Sequence, residues 1–183
     1  MTPAEQFTVV FRRHHRDIER FVQRRAPDLA ISDVVAEVFL VAWRRFDQVP
    51  RRDPLPWLYA TARNVLANEV RGAQRVRRLT ERIAQDTGAS VDADHGEYVT
   101  DRLALAAAFD RLAESDQEVL RLVAWERLSS RAAARVLGCG VTAFAMRLNR
   151  ARARLRAELT MSPASRTTID ALLAGVDTSG GPR

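Results

Sequence analysis

Asp33 and Glu37 stand one helical turn apart, with Val34, Val38 and Val41 beside them. Two carboxylates at that spacing share one face of a helix. They could hold a cation, exchange protons or pair with an incoming basic group. No histidine and no third carboxylate joins them, so metal binding and acid catalysis lack their usual partners. A valine stripe flanked by two acids reads instead as a docking face for a helix that carries Arg. The competing reading is a helix buried on nearly all sides of a compact bundle.

A second constellation lies further along: Arg63, Asn64, Asn68, Arg71 and Arg75, followed by Arg77 and Arg78. Asn64, Asn68, Arg71 and Arg75 recur every three or four residues and therefore share a face. Arg pairs with phosphate oxygens and Asn with base edges, so this face suits DNA. Trp57 and Tyr59 lie just upstream, where an aromatic ring could support an unstacked base. A solvated basic face is the alternative, weakened by two Asn residues at positions where a helix gains little from them. A third constellation, Thr142, Arg147, Asn149, Arg150, Arg152, Arg154 and Arg156, follows a Gly138-Cys139-Gly140 turn.

Helical periodicity positions all three. Thr2-Pro3-Ala4-Glu5 has the form of a capping box with proline in the first turn. Phe7, Val10, Phe11, Ile18, Phe21 and Val22 then mark one apolar stripe, which Pro27-Asp28 interrupts. A second helix is expected from Ser32-Asp33 to about Phe46, with Val35, Phe39, Ala42, Trp43 and Phe46 as its buried stripe. A third begins near Asp53, its Pro54 and Pro56 tolerated only in the first turn; Gly72 weakens it without ending it.

From Asp86 to Asp101 five acids occur without one Arg, around Gly88-Ala89-Ser90. That composition predicts a flexible linker over 84–101, between domains at 1–83 and 102–160. In the second domain, Ser115-Asp116-Gln117-Glu118 reads as another capping box. Ser129 opens a short helix ending at Leu137-Gly138, and a long helix with Phe144, Leu148, Ala151 and Leu155 on one side follows. Two helices joined by a three-residue glycine turn form a helix-turn-helix, whose second helix enters the major groove. The fold class expected is all-α, two small helical domains joined by a linker. In the tail, 161–183, Thr167-Thr168-Ile169-Asp170 could cap a short helix over 168–176. That helix would either dock or stay disordered.

The bulk composition narrows the function. All 29 basic residues among the 183 are Arg, and the formal net charge is +6, which favours an anionic partner. The absence of Lys points to a GC-rich coding sequence, so the Arg content alone is not a functional choice. One cysteine, Cys139, excludes an internal disulfide and any cysteine-cluster metal site. His14, His15 and His95 have no metal-ligand or triad spacing, so no catalytic residue, metal or cofactor is expected. The longest apolar run, Leu103 to Phe109, is too short to span a bilayer. With no secretion pattern at the start, a cytoplasmic protein is expected.

The order of motifs then becomes specific. Asp33-Val-Val-Ala-Glu37-Val-Phe39-Leu-Val-Ala-Trp43 resembles the core-binding helix of extracytoplasmic-function sigma factors of the sigma-70 family. Trp57-Leu-Tyr-Ala-Thr-Ala-Arg63-Asn64 is similar to their promoter-melting helix. Leu128-Ser129, Ala134 to Gly138 and Arg147-Leu-Asn-Arg150-Ala-Arg152 resemble their carboxy-terminal helix-turn-helix. The resemblance runs from about residue 5 to 160. It implies a first domain that binds the β′ clamp helices of RNA polymerase core and the −10 element. It implies a second that binds the −35 element and the β flap, and an anti-sigma factor as a further partner. Asp33 and Glu37 match clamp-contacting acids, Arg63 and Asn64 a promoter-proximal pair, and Arg147 and Arg150 recognition-helix arginines. Three departures are visible. Gly140 stands where the family has a Ser cap, and Ala143 and Ala145 replace a Thr and a basic residue. A stand-alone regulator would explain the helix-turn-helix but leave the acid and valine helix and the Arg63-Asn64 helix without a role.

Overall fold

The computed structural model describes residues 2–81 and 100–160, with side-chain surroundings for 2–72 and 103–160. The tail, its expected helix over 168–176, and most of the expected linker lie outside the described residues. Among the described residues there are seven α-helices, one turn of 3-10 helix and no strand. The chain divides into two compact units.

The first unit holds α1 (Pro3–Gln23), α2 (Ile31–Arg44), the 3-10 turn Phe46–Gln48 and α3 (Leu55–Glu81), and its three α-helices pack on one another. The capping box forms as the sequence predicts: the Glu5 amide donates to Thr2 Oγ1 at 3.3 Å and the Thr2 amide to Glu5 Oε2 at 2.8 Å. Ile18, Phe21 and Val22 of α1 are fully buried, as are Val38 and Leu58 from the other two helices. Tyr59 stacks on Phe21 with ring centroids 4.6 Å apart. An aromatic chain runs along the α1–α2 seam, where Phe7 touches Phe11, Phe39, Trp43 and Phe46. Offset and edge-on pairs of this kind add about 0.5–1.5 kcal/mol each beyond the area they bury. Helix α2 stops two residues earlier than its periodicity suggests, because the chain tightens into the 3-10 turn. Pro56 falls in the first turn of α3, where no amide is required, and α3 passes through Gly72 without a break.

The second unit holds α4 (Thr100–Asp110), α5 (Glu114–Ala124), the start of α6 (Ser130–Leu137) and α7 (Val141–Thr160), with α7 packed on α4 and α5. Thr100 and Asp101, expected in the linker, belong to α4. The expected capping box at Ser115 does not form. Helix α5 begins at Glu114 behind Ala113, which offers no side-chain cap. The residues of that box have other tasks. Gln117 Nε2 donates to the Leu112 carbonyl at 3.0 Å and the Asp110 carbonyl at 3.2 Å, closing the end of α4. Asp116 is buried and accepts from Arg154 Nη1 of α7. A second pair, Arg111 Nε to Glu158 Oε2 at 2.7 Å, ties the end of α4 to α7.

The turn between α6 and α7 follows from its glycines. Ser129 Oγ accepts from the Ala132 amide at 3.3 Å and opens α6. Gly138 has φ +62°, the left-handed conformation that glycine adopts without a Cβ clash. The Cys139 amide returns to the Ala134 carbonyl at 3.0 Å, and α7 starts two residues on. Phe144, Leu148, Ala151 and Leu155 are all buried, as their spacing predicts, and Leu159 extends the stripe.

Candidate docking and nucleic-acid faces

The face of α2 differs from its sequence reading, and the reason is geometric. At about 100° per residue, Val34, Val38, Ala42, Val35 and Phe39 fall within one arc of about 140°. All five are buried. Val34 and Val38 therefore belong to the core and form no separate outward stripe, while Val41 is half-buried at the edge of the same arc. The opposite face carries Asp33, Ala36, Glu37, Leu40, Trp43 and Arg44, all exposed. The two acids are thus where they were expected, and their apolar companions are different ones. Leu40 is 39% exposed and Trp43 47%, the latter resting edge-on against Phe7 at 5.1 Å. Continuing the acid spacing from Asp33 and Glu37 to positions 40 and 44 would have found Leu40. Spacing from Phe39 and Phe46 puts Trp43 on the buried stripe, yet it lies about 40° beyond Phe39, outside the buried arc.

On α3 the expected polar face is assembled. Arg63, Asn64, Asn68 and Arg71 are exposed within about 140° of one another, opposite the buried Leu58, Ala62, Val65 and Leu66. Arg71 Nη2 donates to Asn68 Oδ1 at 2.6 Å, which fixes both side chains on that face. The side chain of Arg75 lies outside the described residues, as do those of Arg77 and Arg78. Of the two upstream aromatics, Tyr59 is a core residue 3% exposed, so it cannot receive a base. Trp57 is half-buried on the polar side and keeps that possibility.

On α7 the five arginines separate. Arg154 is held by Asp116, and Arg152 is half-buried. Arg147, Arg150 and Arg156 are exposed, together with Thr142 and Asn149. Arg147 and Arg150 lie on one flank of the open face, and Thr142 and Asn149 on the other, roughly 120° away. Met146 stands between them, an exposed residue absent from the polar pattern used to read this helix. Among the described residues no cluster of three or more His, Cys, Asp or Glu could hold a metal. No described helix is long and apolar enough to cross a membrane.

Comparison with known proteins agrees with this arrangement. Residues 10–76 match Sigma-70 region 2, and residues 102–155 match Sigma-70 region 4. The chain is 32% identical over 147 residues to the RNA polymerase sigma factor CnrH of Cupriavidus metallidurans, covering 73% of this chain and 75% of that protein. It belongs to the extracytoplasmic-function sigma factors of the sigma-70 family. This sigma factor binds RNA polymerase and directs promoter-specific initiation of transcription. Its α2 and α3 faces fall inside the region 2 match, and the exposed face of α7 inside the region 4 match.

Two solved structures share the fold. The sigma factor RpoE of Bartonella quintana, in complex with the anti-sigma factor NepR, superposes with a TM-score of 0.62 at 21% identity, over 85% of this chain and 98% of that one. CnrH in complex with the cytosolic domain of CnrY gives a TM-score of 0.58 at 25% identity, over 85% of this chain and 88% of that one.

Proposed function

We propose that this sigma factor divides its work between a domain at 1–83 and a domain at 102–160, joined by a connector at 84–101. The first grips the β′ clamp helices through α2, then recognises and melts the −10 element through α3. The second meets the −35 element through α7 and the β flap through the rest of its unit. It works by binding alone, with no catalytic step of its own, in the cytoplasm where the polymerase is. An anti-sigma factor is its third partner. That reading is supported by RpoE, solved in complex with the anti-sigma factor NepR, and by CnrH, solved in complex with the cytosolic domain of CnrY.

The observation that carries the proposal is the composition of the exposed α2 face. Asp33 and Glu37 can pair with Arg on an incoming helix, and Leu40 and Trp43 supply apolar area that the fold leaves open. Anchors of this type, an aromatic beside charged pairs, dominate interface energies. Arg63, Asn64, Asn68 and Arg71 suit DNA because a single helix face offers both phosphate and base partners. Thr142, Arg147, Asn149 and Arg150 do the same on α7.

The test reverses the acids. Asp33→Arg with Glu37→Arg should abolish capture of core polymerase, since truncating or inverting one side of a desolvated charge pair costs about 2–5 kcal/mol. Both residues are exposed, so the helical signal by circular dichroism should be unchanged. A folded double variant that still captures core with wild-type affinity would remove α2 from the interface.

A further inference from the structure

We infer that Met146 is a specificity-determining residue of α7 and recognises the 5-methyl group of a thymine in the upstream promoter element. The inference rests on the reading of α7 as the helix that meets duplex DNA.

Met146 is 56% exposed, the most open large apolar side chain among the described residues. Burying such a side chain would stabilise the fold, and here that gain is forgone. Its position explains what it could gain instead. Thr142, Asn149 and Arg150 are its neighbours one turn away, all exposed, and Ala153 continues the same outer line without filling it. Met146 therefore lies near the midline of the open face, roughly opposite the buried Phe144 stripe. Arg147 and Arg150 on the flank give that face the charge to follow phosphates. When a helix lies in the major groove, residues on its flanks reach the backbone and residues on its midline reach base edges.

The chemistry of the side chain then selects the base. A thioether has no hydrogen to donate and accepts only weakly, so it cannot satisfy the amino or carbonyl groups that mark guanine, adenine or cytosine. The one apolar feature displayed in the major groove is the thymine methyl. Methionine has three flexible torsions and a polarisable sulfur, and can close on such a small group without an ideal geometry.

The experiment uses holoenzyme assembled from the full chain and core polymerase, on a duplex promoter fragment mapped by run-off transcription. Each upstream thymine is replaced in turn by deoxyuridine, which removes only the methyl. At one position the wild type should weaken about 4-fold, the worth of one buried methyl-sized group. Met146→Ala should bind the thymine duplex at least as weakly and be indifferent to deoxyuridine at that position. Met146→Leu should keep the sensitivity. The slope of log affinity against log salt should be unchanged in Met146→Ala and shallower by about 1 in Arg147→Ala. If no thymine matters to the wild type, or if Met146→Ala retains the same sensitivity, the inference is wrong. If Arg147→Ala and Arg150→Ala also leave duplex affinity intact, the reading of α7 itself has failed.

Discussion

Helices α3 and α7 both turn a basic face outward, yet the chain holds them in different ways. Helix α3 gives about half of its circumference to the core, through Leu58, Tyr59, Ala62, Val65 and Leu66 among others. What it leaves open is a polar band with Arg63, Asn64, Asn68 and Arg71, two of them hydrogen-bonded to each other. Helix α7 is fully buried only along Phe144, Leu148, Ala151, Leu155 and Leu159, less than a quarter of its circumference. Two ion pairs, Arg154–Asp116 and Glu158–Arg111, flank that stripe. A helix anchored on a thin line exposes more of itself. The open face of α7 is accordingly wide enough to carry Met146 as well as its polar residues. Anchoring and recognition compete for the same surface, and the two helices strike the balance differently.

The largest effect should come from breaking the thin anchor. Phe144 is fully buried, and Phe144→Ala should cost about 3–5 kcal/mol. That is comparable to the whole stability of a small domain. Leu58→Ala in α3 removes less, and its neighbours share the load. In Phe144→Ala we expect the second unit to lose its cooperative melt and the upstream duplex contact, while core capture through α2 survives. Loss of core capture in parallel with duplex binding would show that the two units do not stand independently.

A smaller effect separates the open faces themselves. Hydrogen bonds from charged or amide side chains to base edges or phosphates contribute about 1–3 kcal/mol each. Replacing Arg63 and Asn64 by Ala should reduce permanganate reactivity of the melted region more than it reduces duplex binding. Replacing Arg147 and Arg150 should do the reverse. A bubble of normal intensity in the Arg63/Asn64 variant would end the division of labour between α3 and α7.

How much of this was legible beforehand depends on the kind of signal. Periodicity found the order of the helices, the buried stripe of α7 and the polar face of α3, because each is a one-dimensional pattern written in residue types. The Thr2–Glu5 and Ser129 caps were legible for the same reason. The α2 face was only half legible. Its acids stand out, but Val34 and Val38 were placed outside because apolar residues at most positions of α2 give little contrast between inner and outer faces. Only the packing of α1 and α3 against α2 decides which arc is buried. Asp116 and Gln117 misled in another way: a local capping pattern was overridden by long-range partners, Arg154 and the end of α4. Met146 carried a fainter signal: its spacing from Phe144 and Leu148 puts it opposite the buried stripe, but a reading of α7 by its polar residues alone passes over it.

The smallest effect concerns the turn that delivers α7. Helix α7 starts at Val141, and the Phe144 amide donates to the Gly140 carbonyl at 2.9 Å, so Gly140 occupies the cap position. It has no side chain to accept an amide of the first turn. A Cβ built at Gly140 meets nothing within 4 Å, and only Gly138 among the described glycines has a positive φ. Serine is therefore compatible with this backbone. Gly140→Ser should add a cap worth a few tenths of a kcal/mol over glycine. It should also remove freedom from the unfolded chain, worth about 0.4–1 kcal/mol. Together these should raise the melting temperature of the second unit by about 3–10 °C. Gly138→Ala, two residues away, should act in the opposite direction, because φ +62° costs a side chain about 1–2 kcal/mol. The pair of variants separates the two glycines by sign, which a merely mobile turn would not do. If Gly140→Ser leaves the melt unchanged or lowers it, the cap of α7 is not at residue 140, and the line that anchors the helix must begin elsewhere.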